Sequence, residues 1–132
     1  MLPNTDIEVR KSRIQGRGVF ALRDFTPGET VLVWDTSYIL TDDEYARLPE
    51  DQRHFVVRFK GEWLYMQEPA RYVNHSCEAN TVARDGTDVA VAPIHAGDEI
   101  TSDYRSEMPS GERMKCLCGT KSCTGYIEGA AV

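Results

Sequence analysis

The chain has 132 residues and carries 15 Lys and Arg against 21 Asp and Glu, a formal net charge of −6. That length accommodates one domain, and an acidic chain lacks the clustered cations on which non-specific nucleic-acid affinity rests, so no direct nucleic-acid binding is expected. No apolar run approaches the ~20 residues of a membrane span, while 41% apolar residues suffice for a core and the acidity suits a basic partner.

In chain order, the polar start from Met1 to Ser12 lacks the apolar stretch of a secretory signal, which places the protein inside the cell. Ile7 to Arg10 reads as a first strand, and Gly16-Arg17-Gly18 leads into the apolar run Val19 to Leu22. After a turn at Thr26-Pro27-Gly28-Glu29, Thr30 to Trp34 and Ser37 to Leu40 are β-branched and aromatic strands. Thr41-Asp42-Asp43-Glu44 has the form of a capping box, and Pro49 keeps the helix that it starts short. Phe55 to Phe59 and Trp63 to Met66 form a hairpin around Lys60-Gly61-Glu62. Thr81 to Arg84 and Asp88 to Ala92 form another around Asp85-Gly86, and Glu99 to Ser102 is the last strand. The tail from Arg105 is poor in large apolar residues and needs a staple. The class is mainly β with one or two short helices.

The cysteines are four: Cys77, Cys116, Cys118 and Cys123. They make two disulfides in an oxidising compartment or hold one metal in a reducing one, and without an export signal the metal is favoured. Cys116-Leu117-Cys118 with Cys123 gathers three thiols, one short of a closed zinc site; closing it requires the tail to fold back onto Cys77. Gly119 and Gly125 provide bends for such a knuckle. The plain alternative is a set of buried, unligated cysteines.

Arg71-Tyr72-Val73-Asn74-His75-Ser76-Cys77-Glu78-Ala79-Asn80 gathers polar groups between strands. His75 and Cys77 alone would allow a thiol nucleophile and its base, but no orienting carboxylate is evident; a purely structural set of turns is the other reading. This run, together with Gly97-Asp98-Glu99-Ile100-Thr101-Ser102-Asp103-Tyr104, the cysteine tail and Gly16-Arg17-Gly18-Val19-Phe20-Ala21, resembles in order and spacing the SET-domain protein-lysine methyltransferases, from about Ile7 to Ile127.

The resemblance implies a fold of small curved β-sheets around a pseudoknot, in which the Asn-His-Ser-Cys segment threads through a loop formed near the later Asp-Tyr segment. It divides the chain into a SET domain over 1–108 and a post-SET tail over 109–132 that packs on it, with one structural zinc ion on Cys77, Cys116, Cys118 and Cys123. It further implies S-adenosylmethionine as cofactor, contacted by Gly16, Arg17, Gly18, Asn74, His75, Tyr104 and Leu117, with Tyr104 as the catalytic residue that orients a lysine amine. The substrate would be a basic protein, whether histone, histone-like or ribosomal. The place would be the cytoplasm in a bacterium, or the nucleus for a eukaryotic or viral protein.

The chain departs from the family pattern at several positions. Ser102 stands where Phe or Tyr often limits the number of methyl groups. Phe55 stands where a second active-site tyrosine is common, with Tyr45 and Tyr65 as candidates to replace it. Ala79 stands for the usual proline, and the segment from Leu40 to Met66 that grips the substrate is short. Ser102 and Phe55 also fit an alternative, a catalytically silent SET-fold module that binds basic peptides. The acids Asp42, Asp43, Glu44, Glu50 and Asp51 are candidates to attract such a peptide.

Overall fold

Two hairpins with left-handed turns set the frame. The computed structural model describes residues 3–131; Met1 and Leu2, which open the polar start, and Val132, which closes the tail, lie outside them. Strand β1 (Ile7–Lys11) pairs antiparallel with β2 (Arg17–Ala21), Ile7 opposite Ala21. After β3 (Thr30–Val33) the strand expected from Ser37 shrinks to β4 (Ile39–Leu40). The capping box then starts α1 (Asp42–Arg47), with the Thr41 hydroxyl accepting from the Glu44 N–H and the Glu44 carboxylate from the Thr41 N–H. Pro49 stops α1 and, with its φ of −57°, serves as N-cap of a second short helix, α2 (Glu50–Arg53).

Strands β5 (Val56–Phe59) and β6 (Glu62–Tyr65) meet at Lys60-Gly61, with φ of 52° and 79°. Strands β8 (Thr81–Arg84) and β9 (Thr87–Ala90) meet at Asp85-Gly86, with φ of 48° and 77°. Two successive left-handed residues give the turn whose twist matches the flanking strands. Between these hairpins lies β7 (Asn74–His75), preceded by a 3₁₀ turn over Ala70–Tyr72.

Strand β10 (Glu99–Ser102) organises the largest sheet, of order β1-β2-β10-β8-β9-β3. It runs antiparallel to β2 and parallel to both β8 and β7, so the Asn-His segment lies alongside it. A second sheet has the order β4-β6-β5. Val19, Leu32, Leu64 and Ile100 from both sheets, with Ile94 from the segment before β10, are at most 1% exposed and form the core that fixes β10 in place.

The tail, poor in apolar residues, nonetheless forms a small antiparallel sheet of β11 (Arg113–Lys115) and β12 (Tyr126–Glu128), which sequence patterning did not reveal. It is stitched to the segment after β10: the Ala130 N–H donates to the Arg105 carbonyl at 3.1 Å and the Ala131 N–H to the Met108 carbonyl at 3.0 Å. Met108, Cys116 and Ile127 make a second core beneath it, against which Cys77, Tyr104, Cys118 and Cys123 pack. No helix among the described residues is long and apolar enough to cross a membrane.

Candidate functional site

The parallel pairing of β7 with β10 brings two distant motifs into register, Thr101 opposite Asn74 and Ser102 opposite His75. The Ser76 N–H continues the ladder to the Ser102 carbonyl at 3.0 Å. The Asn80 carboxamide locks it from beyond, donating to the Glu99 carbonyl and accepting from the Thr101 N–H, each at 2.9 Å. Tyr104 follows directly, in a 3₁₀ turn over Tyr104–Ser106 capped by Asp103.

Buried His75 ties this turn to the cysteines. Its Nδ1 accepts the Tyr104 N–H at 3.0 Å, which leaves the ring proton on Nε2, 3.4 Å from Cys77 Sγ. Burial holds the imidazole below its ordinary pKa, against the opposing pull of Asp103, so the ring is neutral near pH 7. The Tyr104 hydroxyl donates to the Val73 carbonyl. Burial, with the carboxylates of Asp88 and Glu99 nearby, pushes the phenol pKa up and keeps its proton in place.

Tyr104 stands where two cavities adjoin. The larger, of about 530 Å³, is bordered by Gly16, Arg17, Asn74, His75, Tyr104 and, from the tail, Met114 to Leu117. The narrower, of about 60 Å³, is bordered by Trp34, Val56, Val57, Met66, Asp88, Ser102 and again Tyr104. His54 and Arg71 also touch both. Phe55 lies on the larger cavity, whereas Tyr45 and Tyr65 border neither; their hydroxyls bond Glu112 and Gln52. Arg71 has a place not deduced from the sequence: its guanidinium lies 4.0 Å from the centre of the Phe55 ring, and its buried Nε has no partner.

Of the glycine loop, Gly16 has a φ of +46° and borders the larger cavity, but Gly18 does not border it. Buried Gly18 faces Glu99 instead, whose carboxylate accepts from the Ser12 hydroxyl at 2.8 Å and from the Asn74 carboxamide at 2.9 Å. The same Asn74 amide donates to the Arg17 carbonyl at 3.0 Å, so one carboxylate and one amide hold the loop. A Cβ on Gly18 would collide with the Glu99 carboxylate. Gly18→Ala is therefore expected to cost about 1–3 kcal/mol of stability, read from a denaturant melt.

The four cysteine sulfurs lie within 4.8 Å of one another, with Cys77 to Cys116 at 3.7 Å and Cys116 to Cys118 at 3.3 Å. A tetrahedron of thiolates ~2.3 Å from zinc has edges of ~3.8 Å, so the cluster has the size of such a site. The left-handed Gly119 and Gly125, φ 71° and 82°, bend the chain on either side of Cys123. Burial pushes the Cys116 thiol upward, whereas hydrogen bonds from the Cys77 and Thr120 segments outweigh burial at Cys118 and lower it. Four converging donors would leave a bound ion no open position, and the His75 Nε2–H aimed at Cys77 is the kind of outer hydrogen bond that ligating thiolates attract.

Residues 16–105 match the SET domain, a span that holds the glycine loop, the Asn-His segment and Tyr104. The chain belongs to the SET-domain family. This SET domain is 29% identical over 144 aligned residues to the protein named Histone-lysine N-methyltransferase set-2 of Caenorhabditis elegans, covering 92% of this chain and 9% of that one. It is 33% identical over 112 residues to Histone-lysine N-methyltransferase SET9 of Phaeosphaeria nodorum, covering 77% and 17%. Among solved structures, the methyltransferase domain of human Histone-lysine N-methyltransferase SETMAR has the same fold, with a TM-score of 0.73, 20% identity, and coverage of 96% of this chain and 59% of that one. The SET domain described here thus spans less than a fifth of the length of these two curated relatives.

Proposed function

We propose that this SET domain is an S-adenosylmethionine-dependent protein-lysine N-methyltransferase acting on a basic protein, a histone or histone-like one. The observation that carries this reading is the adjoining of a wide and a narrow cavity at one tyrosine. The wide cavity falls within the ~300–1,000 Å³ of small-ligand sites. Leu117 on its wall is 44% exposed, an apolar surface that a flat apolar ligand would cover. Gly16 and Arg17 offer backbone, and Asn74, His75 and Tyr104 complete the set that would hold S-adenosylmethionine, with Gly18 supporting it through Glu99. The cofactor, when bound, supplies an electrophilic methyl group on a sulfonium.

The chain's own residues then do the rest. The walls of the narrow cavity, Val56, Val57 and Met66, suit the aliphatic stem of a lysine, and desolvation there favours the neutral amine. The Tyr104 hydroxyl at the boundary orients the nitrogen toward the wide cavity. Cys77, Cys116, Cys118 and Cys123 hold one zinc ion that orders the tail, over 109–132, against the domain of 1–108. The catalytically silent alternative has Ser102 and Phe55 in its favour. In a eukaryotic cell a histone substrate would place the protein with chromatin.

The test is to incubate the protein with labelled S-adenosylmethionine and core histones. Label on lysine is expected, and none on any basic protein would sink the reading. Ser102 on the narrow cavity leaves room that a larger side chain would fill. Ser102→Phe is expected to retain transfer but to shift the products, by mass spectrometry, toward fewer methyl groups per lysine.

A further inference from the structure

We propose that Asp88 is the base that takes the proton from the target lysine in the narrow cavity. This inference rests on the methyltransferase reading above. Asp88 lies on β9, between Ala83 of β8 and Leu32 of β3, and is 3% exposed. It lines the cavity that Tyr104 and Ser102 also line. The Trp34 indole N–H donates to Oδ2 at 3.0 Å, which fixes the group and leaves Oδ1 without a hydrogen bond among the described residues. Among the described residues no cation forms an ion pair with it.

A buried carboxylate without a cation is costly, and the fold pairs it with one indole rather than with a charge. The titratable groups that share its cavity are Asp103, Tyr104 and Glu107 from the segment after β10, together with His54 and Arg71. Trp34, Ala83 and Glu107 also border a third cavity, as Tyr104 borders the wide one. A narrow cavity with Val56, Val57 and Met66 on its walls and a buried aspartate among its lining residues fits an aliphatic chain that ends in a cation, which is a lysine.

The step balances simply. One N–H bond of the ε-ammonium breaks, its electron pair stays on nitrogen, and the proton forms an O–H bond at Asp88 Oδ1. The neutral amine is then free to attack, and the carboxyl group returns its proton to solvent. Burial, opposed by the Trp34 hydrogen bond and reinforced by Glu107, raises Asp88 to about 6. Such a group is ionised at pH 7 and a stronger base than an exposed aspartate.

Asp88→Asn keeps an acceptor for Trp34 and removes the charge. Wild-type transfer to core histones is expected to fall as pH drops through about 6, because the base becomes protonated there. Asp88→Asn is expected to lose that limb and to run about tenfold or more slower at pH 8. Binding gives a readout without turnover: a basic peptide with a single lysine should bind the wild type more tightly than its norleucine counterpart, and Asp88→Asn should erase that preference. A thermal melt at least as high as that of the wild type shows that the variant is folded, since a buried charge has been neutralised. If the wild type transfers methyl and folded Asp88→Asn keeps both the same low-pH limb and the same preference for lysine, this assignment falls alone. If the wild type transfers no methyl at all, the function reading falls and takes it along.

Discussion

Replacing Tyr104 by Phe is expected to reduce methyl transfer by about 10²–10⁴-fold while leaving the protein folded. The removed hydroxyl has a single bond, donated to the Val73 carbonyl, and a neutral hydrogen bond of this kind contributes about 1 kcal/mol to stability. The ring still packs against the tail core, and the backbone N–H still bonds His75. Stability and rate therefore separate. The phenol pKa is raised, so the hydroxyl is a proton-bearing dipole at physiological pH, which suits the part proposed for it, orientation of the amine. Single-turnover rates with labelled cofactor, beside a thermal melt, measure both quantities. An active Tyr104→Phe protein would remove Tyr104 from the reaction, whereas a wild type that transfers no methyl group would revive the reading of a silent peptide-binding module.

The second large effect is expected on removal of the metal. With the cation gone, four thiols within 4.8 Å of one another cannot all remain ionised, and the structure loses the link between β7, the turn after β11 and the start of β12. Apparent binding energies of structural zinc are about 10–16 kcal/mol, more than the small core of Met108, Cys116 and Ile127 can replace. The tail carries Met114 to Leu117, one wall of the wide cavity, so its melting should abolish cofactor binding along with the β11–β12 sheet. Calorimetric titration of S-adenosylmethionine before and after a strong chelator, with metal content measured in parallel, checks this. Cys116→Ser should behave like the chelated protein, and full cofactor affinity in metal-free protein would overturn the zinc-stapled assembly. Acid acts in the same direction, because protons compete with the metal for the thiolates and displace it as pH falls.

Local chemistry made part of this molecule readable from its residues. The capping box at Thr41, the two-residue turns at Lys60 and Asp85, and the strand Glu99–Ser102 follow from rules that act over a few positions. The convergence of Cys77 on the tail was legible as a count of ligands rather than as a contact. What stayed hidden depends on pairing over long separations. Strand β7 has two residues and no pattern of its own; it exists because β10 lies beside it. Strands β11 and β12 hold mostly polar residues and are ordered by the cysteines and by bonds to Arg105 and Met108. Asp88 looks like a solvent-facing residue of a hairpin, and only the register that places it between Ala83 and Leu32 puts it inside. The strand expected from Ser37 failed for a similar reason: only Ile39 and Leu40 find partners, at Leu64 and Trp63.

The brevity of β7 has a consequence for what the chain tolerates. Neighbouring residues of a strand face opposite ways, so Asn74 reaches the Arg17 loop and Glu99 while His75 reaches Tyr104 and Cys77. Two stations, the loop and the sulfur cluster, are thereby addressed by one dipeptide. Adding or deleting a single residue between Tyr72 and Ser76 would exchange the two addresses at a stroke, and no neighbouring strand residue could restore either. The spacing here is as much a part of the chemistry as the side chains, and a tally of which residues are present would miss it.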